Sequence, residues 1–227
     1  MDLSRHYNKL YEESVPKIRE GNYILDNQID SLSDNRFGIT LIIRPNTEIK
    51  NNIQQLLQEI RSIDPEQYYY PNSDIHITVI SIISCYNGFD LKKISVSEYV
   101  DCIQKSLVGI NAVEIHFRGI TVSPSAIMIQ GFVNNSSLDN LRNNLRETFR
   151  NSGLEESIDK RYSIATAHST VLRFRKEIKS KEKLIETLEK YRNFDFGKCT
   201  VNTYELVYND WYQREQFVQL LHEFKSM

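Results

Sequence analysis

Two apolar segments that each carry a histidine and a threonine at fixed spacing constrain this chain most strongly. The first runs from Asp74 to Ser84 and is β-branched and apolar almost throughout, which predicts a central strand. Within it His76 and Thr78 are two residues apart, and residues two apart in a strand point to the same face. The pattern therefore predicts that these two side chains leave one face of the strand together.

A second segment, Ser163 to Leu172, repeats this arrangement with His168 and Thr170. A chain of this composition would contain roughly 0.2 His-x-Thr triplets by chance, so a single match would carry little weight. Two triplets, each within an apolar strand, indicate a duplicated functional element. A lone histidine on a strand is more often a hydrogen-bonded core residue, but the matched pair favours a site.

The order of predicted elements around the two triplets is also duplicated. A strand over residues 37–44 and a helix over 49–63, with Thr47 as its candidate cap, precede the first triplet. A strand over 126–133 and a helix from Ser137 precede the second. Residue identity between the halves is poor, so the repeat is one of architecture. Further helices are predicted over 96–107 and 181–191, and a hairpin over 200–208 and 215–224.

Composition and length bound the class of protein. The 227 residues can bury a substantial core, and the formal net charge of −2 argues weakly for a small anionic ligand over long nucleic acids. Three cysteines without a metal-binding spacing suit a reducing compartment. No apolar run reaches the length of a membrane span, and the start lacks a signal-peptide pattern. We expect a soluble, cytoplasmic monomer that contacts neither membranes nor long duplex nucleic acid.

The residues before the first predicted strand form a polar extension. A short helix is predicted from Ser4 to Glu13, with Pro16 and Gly21 as breakers. We expect two parts, an N-terminal extension over residues 1–35 and a domain over residues 36–227.

Paired histidines and threonines are suited to acid–base chemistry on phosphate. Histidine titrates nearest neutral pH, so one ring can be neutral while the other is protonated. Threonine hydroxyls on the same face can donate to phosphate oxygens without a metal. A two-histidine metal site is disfavoured because no third ligand lies near either triplet. We expect no metal and no cofactor.

The sequences His76-Ile77-Thr78-Val79 and His168-Ser169-Thr170-Val171 resemble the paired motifs of the two-histidine (2H) phosphoesterase superfamily. This superfamily includes cyclic nucleotide phosphodiesterases and proteins called 2′-5′ RNA ligases. The resemblance implies an α+β fold of two similar lobes related by a pseudo-twofold axis. Each lobe would have an antiparallel-rich sheet with helices on its outer side, and would bring one motif to a shared central groove.

The resemblance also implies a metal-independent phosphodiesterase. It would cleave a 2′,3′-cyclic phosphate, a 2′-5′ linkage or a cyclic nucleotide or oligonucleotide. His76 and His168 would be acid and base, Thr78 and Thr170 would donate to the phosphate, and ligation would be the reverse reaction. The partner would be a small nucleotide or an oligonucleotide end. Which histidine is the base stays open.

Two further residues are candidates for substrate binding. Arg173 follows Thr170 by three residues, where members of the superfamily often carry a basic residue. Strict alternation points Arg173 away from the His168 face, so a bulge would be needed to bring it back. Tyr70, in a run of three tyrosines before the first triplet, could stack a base at the mouth of the groove or cover the core.

Two other functions remain open at this point. A binding module could hold a nucleotide or RNA end in the same groove without cleaving it, although two proton-transfer groups are more than such a module needs. Alternatively, the chain is a structural or partner-binding α/β protein whose two histidines belong to the core.

Overall fold

The described chain, residues 2–161 and 163–225 of a computed structural model, contains five α-helices, nine strands and two short 3₁₀ helices, Leu91–Lys93 and Glu215–Phe217. The helices are α1 (Leu3–Glu20), α2 (Thr47–Ile63), α3 (Val96–Leu107), α4 (Ser137–Arg150) and α5 (Lys181–Lys190). The strands are β1 (Arg36–Ile43), β2 (Tyr68–Tyr69), β3 (Ile77–Asn87), β4 (Glu114–Ser123), β5 (Ala126–Val133), β6 (Ser169–Arg173), β7 (Asp195–Thr200), β8 (Thr203–Asp210) and β9 (Gln219–Lys225).

The strands form two antiparallel sheets. Sheet A has the order β3-β1-β8-β9, and sheet B has the order β2-β6-β5-β4-β7. The first triplet adjoins sheet A and the second adjoins sheet B. The predicted α+β class with two antiparallel-rich sheets is confirmed, whereas the pseudo-twofold relation between the halves stays a prediction.

The helices of the duplicated units cross to the opposite sheet. Helix α2, which follows β1 of sheet A, packs against α5 and β7 of sheet B, and Asn52 Nδ2 donates to the carbonyl of Phe196 at 3.1 Å. Helix α4, which follows β5 of sheet B, packs against α3 and β3, and Arg142 Nε donates to the carbonyl of Val79 at 2.9 Å. Each half of the sequence therefore supplies part of the other half's core.

Most predicted elements match the structure, and the differences have local causes. Strand β5 and helix α3 have the predicted bounds, and the predicted hairpin pairs β8 with β9. The cap of α2 is Asn46, whose Oδ1 accepts from the backbone N–H of Ile49 at 3.0 Å, and not Thr47, which is the first helical residue. Strands β2 and β7 were not predicted, because they are short or carry polar residues.

Helix α1 is longer than the prediction because tertiary packing outweighs its proline. It continues through Pro16 to Glu20, with Gly21 as its C-terminal cap, since Tyr7, Tyr11 and Ile18 bury one face against the rest of the chain. Thr121 Oγ1 in β4 donates to the carbonyl of Tyr7 at 2.8 Å. The N-terminal segment thus packs on sheet B, while its division from the rest as a separate part stays a prediction. Among the described residues, no helix is long and apolar enough to cross a membrane.

Candidate active site

The two histidines occupy equivalent positions at the starts of two strands. His76 immediately precedes β3 and His168 immediately precedes β6, rather than lying inside strands as the sequence predicted. Residues 163–168 are irregular, so the second strand is shorter than predicted. The predicted alternation is nevertheless present: the residues flanking each histidine are buried, whereas both histidines and both threonines are partly exposed.

These side chains open onto one cleft. The cleft is lined by all six residues predicted as catalytic or substrate-binding, namely Tyr70, His76, Thr78, His168, Thr170 and Arg173. The fold therefore brings together two motifs that are 92 positions apart in the sequence. The catalytic and binding roles of the six residues stay predictions.

Both strands contain a β-bulge at the valine that follows the threonine. The pairing of β1 with β3 skips Val79, and the pairing of β5 with β6 skips Val171. One extra residue reverses the alternation of the side chains beyond it. Ser81 and Arg173, each three residues after a threonine, are therefore turned to the cleft. The bulge that the sequence required for Arg173 is present.

Tyr70 contacts Arg173 and presents no open ring. The side chain of Tyr70 is only 1% exposed, and its hydroxyl accepts a hydrogen bond from Arg173 Nε at 2.9 Å. Asp26, from the segment after α1, lies 3.7 Å from Arg173 Nη1. Base stacking on Tyr70 thus has no accessible ring face, whereas holding the Arg173 guanidinium at the cleft agrees with the geometry.

Arg142 forms hydrogen bonds with the backbone of both motif segments. It was not identified from the sequence as part of the site. Its side chain is buried, and its guanidinium donates to the carbonyls of Val79 (2.9 Å), Thr78 (3.2 Å) and Thr166 (2.7 Å). Burial lowers the pKa of Arg142 to about 10, so it remains charged at neutral pH. The sequence shows only an arginine on an amphipathic helix, which is usually exposed.

A backbone carbonyl fixes the tautomer of His76. Its Nδ1 lies 2.7 Å from the carbonyl oxygen of Asp74, which can only accept, so Nδ1 carries the proton. In the neutral ring Nε2 therefore holds the lone pair. Such a contact orients the ring and stabilises its protonated form.

His168 has a different partner. Its Nδ1 lies 2.6 Å from Thr166 Oγ1, a hydroxyl that can donate or accept. The segment that carries both residues lies tightly against Gly131 of β5, where an added Cβ would overlap the carbonyl oxygen of Ala167. Glycine at position 131 is therefore what lets the His168 segment approach the sheet.

Burial disfavours the charged form of both histidines. It lowers the pKa of His76 to about 4, and the nearby cations Arg44 and Arg173 act in the same direction. It also lowers the pKa of His168 to about 4, with further contributions from Arg142 and Arg173. Both rings are neutral at pH 7 when the cleft holds no anion.

Two His-x-Thr motifs that open onto one cleft are the arrangement expected of a 2H phosphoesterase. The model of the family described as "AKAP7 2'5' RNA ligase-like domain" matches residues 39–224. The chain belongs to that family, within the 2H phosphoesterase superfamily. No curated protein matches the sequence.

Solved structures share the fold at low sequence identity. The structure of E. coli LigT complexed with 3′-AMP has a TM-score of 0.57 and 14% identity, covering 84% of this chain and 98% of LigT. TT0787 of Thermus thermophilus has a TM-score of 0.56 and 13% identity, covering 83% of this chain and 97% of that one. ATU0111 from Agrobacterium tumefaciens has a TM-score of 0.53 and 14% identity, covering 92% and 98%.

Proposed function

We propose that this protein is a metal-independent phosphodiesterase that acts on a nucleotide or an oligonucleotide end. The scissile group would be a 2′,3′-cyclic phosphate, a 2′-5′ linkage or the phosphodiester of a cyclic nucleotide or oligonucleotide. One observation carries the proposal: two His-x-Thr motifs from separate sheets open onto one cleft together with Arg173. Membership of the 2′-5′ RNA ligase-like family supports it.

Hydrolysis needs a base and an acid on either side of phosphorus. One histidine takes a proton from the attacking water, whose oxygen bonds to phosphorus, and the other gives a proton to the leaving ribose oxygen as its bond to phosphorus breaks. Thr78 and Thr170 donate to the non-bridging oxygens, and Arg173 adds a positive charge beside them. In the reverse, ligating direction the two histidines exchange roles.

Binding of the anionic substrate would favour protonation of one histidine, which then serves as the general acid. Both histidines have a pKa of about 4 in the folded chain, and an anionic phosphate between them favours the protonated form of the nearer ring. His76 already has an acceptor at Nδ1 for the imidazolium form. One ring then enters the reaction protonated and the other neutral.

The proposed ligand class follows from the charged and polar side chains that line the cleft. We propose a small nucleotide or an oligonucleotide end, handled by a cytoplasmic monomer. The arginine and the two threonine hydroxyls at its wall suit a phosphorylated nucleoside. Structures of E. coli LigT carry 3′-AMP, ATP or NADP⁺, which supports a nucleotide ligand here.

A product assay in the presence of EDTA tests the proposal. Wild type, His76→Ala and His168→Ala are incubated with 2′,3′-cyclic nucleotides, 2′-5′ dinucleotides and cyclic dinucleotides, and products are identified by mass. We expect turnover by the wild type and a loss of at least about 100-fold in each variant, since general acid–base catalysis contributes that much. His222→Ala is the matched control, because His222 is exposed on β9 outside the cleft.

Two outcomes would contradict the proposal. Intact turnover in either cleft variant would remove the histidines from the mechanism. Tight nucleotide binding by wild type with no product from any substrate would assign the groove to a binding module.

A further inference from the structure

The cleft extends well beyond the two histidines. Thr78 and Cys85 both line it, and both lie on β3. Thr78 pairs with Ile42 of β1 and Cys85 lies against Gly38, so about four residues of strand at about 3.3 Å each separate them by roughly 13 Å. The Cys85 end is the distal end of the cleft, away from the two histidines.

Arg161 supplies a cation at this distal end. It is exposed and lines the cleft, and its Nη2 donates to the carbonyl of Cys85 at 3.0 Å. Its Cζ lies 4.9 Å from the ring centroid of Trp211, which holds the guanidinium by a cation–π contact. In the described ranges no carboxylate forms an ion pair with Arg161. Asp159, which also lines the cleft, is paired with Arg146 at 2.5 Å.

Two buried amides also line the cleft, and Asn209, one of the two, lies at the distal end with its Nδ2 3.5 Å from Cys85 Sγ. Asn209 and Gln213 line the cleft and are 2% and 4% exposed. Asn209 Oδ1 and Gln213 Oε1 have no hydrogen-bond partner among the described residues. Buried polar atoms are nearly always paired, so such an exception calls for an explanation, and a role in holding a ligand is one.

The backbone at Gln213 is held in an uncommon conformation. Its φ is 60°, in the left-handed region that non-glycine residues seldom adopt. The turn is fixed by Asp210, whose carboxylate accepts from the backbone N–H of Arg214 at 2.8 Å and from its Nε at 2.7 Å. Such strain clusters at ligand sites. The backbone that carries the Gln213 amide is thus fixed at the cleft wall.

We infer that the distal end of the cleft binds a second phosphate. Arg161 is its ligand, and the Asn209 and Gln213 amides accept hydrogen bonds from the nucleoside between the two phosphates. This inference rests on the proposed function and names the substrate class: an oligonucleotide with a phosphate on both sides of one nucleoside, rather than a cyclic mononucleotide. A guanidinium stacked on an indole keeps its N–H edge free for phosphate oxygens.

Two nucleotides that differ only in the second phosphate test this inference by binding. Adenosine 3′-monophosphate and adenosine 3′,5′-bisphosphate contain no phosphodiester, so neither can be turned over as a diester. Affinities are measured by isothermal titration calorimetry. Trp211 is the only tryptophan in the chain, so its fluorescence shows whether the distal end is occupied. We expect the bisphosphate to bind the wild type about tenfold more tightly, because a charge-assisted hydrogen bond contributes that much.

Variants distinguish a specific contact of Arg161 with the second phosphate from the effect of the overall charge of the protein. In Arg161→Ala the ratio of the two affinities falls to near one, and Arg161→Lys retains part of it. Arg118→Ala is the matched control, since Arg118 is exposed and lies 5.4 Å from the Phe132 ring, with neither residue lining the cleft. It removes the same charge and the same kind of contact, and it keeps the wild-type ratio.

Three other results are possible, and each would contradict either the second-phosphate site or the proposed function. Equal wild-type affinities, or a ratio that survives Arg161→Ala, overturn the second-phosphate site and leave the proposed phosphodiesterase intact. Failure of both nucleotides to bind overturns the nucleotide class together with the site. If the site is present but no diester is cleaved by the wild type, the proposed activity fails and the site stands.

Discussion

Arg142 Nη2 lies 2.7 Å from the carbonyl oxygen of Thr166, two residues before His168. The same nitrogen lies 3.2 Å from the carbonyl of Thr78, two residues after His76. One buried guanidinium from α4 thus joins the backbones of both motifs. It gives the two sheets a fixed spacing at the place where the histidines open onto the cleft.

We predict that Arg142→Ala destabilises the protein and separates the motifs. The carbonyls of Thr78, Val79 and Thr166 lose their donor, so the free energy of unfolding falls by about 3 kcal/mol. Arg142→Lys recovers part of this loss. Denaturant unfolding measures the loss of stability. In steady-state kinetics we expect kcat to fall by a larger factor than KM rises, because the two motifs move apart. Arg150→Ala, at the exposed end of the same helix, changes stability little. Wild-type stability in Arg142→Ala would contradict the proposed linkage.

Stability should fall as the pH falls from about 6.5 to about 4. His76 and His168 have a pKa of about 4 in the folded chain, against an ordinary value of 6.5. Between these values the unfolded chain binds more protons than the folded one, so the free energy of unfolding increases with pH. The contribution is complete above the higher value and is lost as the pH falls through the lower one.

Denaturant unfolding at pH 7 and pH 5 measures this dependence. His76→Ala and His168→Ala should each show a smaller loss between the two pH values than the wild type. His222→Ala is the control, because His222 lies on β9 outside the cleft. An equal loss in all four proteins would show that the two cleft histidines titrate normally.

The pH dependence of kcat/KM should follow the fraction of protein in which one cleft histidine is protonated. In the free protein the singly protonated form decreases about tenfold per pH unit above the pKa. We expect kcat/KM to fall as the pH rises from 5 to 7. The corresponding fall in kcat should lie at higher pH, because the bound phosphate raises the pKa of the nearer histidine. A kcat/KM profile that is flat from pH 5 to 7 would argue against acid–base roles for these rings.

Gly131→Ala should reduce activity by displacing the His168 segment. A Cβ at position 131 would overlap the carbonyl oxygen of Ala167, so backbone has to move. We expect a lower kcat together with reduced stability. Gly109→Ala is the control: its φ of 75° gives a backbone cost of about 1 kcal/mol, but no atom lies within 4 Å of the new Cβ. It should lose stability and keep full activity per folded molecule.

The elements with strong periodicity could be read from the sequence. Helix α3 and strand β5 have the predicted bounds because apolar spacing and flanking turn residues agree there. The two His-x-Thr motifs were also apparent, since a polar pair in an apolar strand is locally anomalous. Strand β7 could not be read in this way, because its residues become a strand only by pairing with β4.

By itself, the sequence determined the two motifs, the alternation that turns them from the core and the family to which they belong. The tertiary structure decided the rest of the site. Bulges at Val79 and Val171 depend on the pairing with neighbouring strands, and they turn Ser81 and Arg173 to the cleft. The role of Arg142 depends on α4 crossing to the opposite sheet. Local sequence patterns determine which face of a strand or helix a side chain lies on. Contacts between distant segments determine which other residues it contacts.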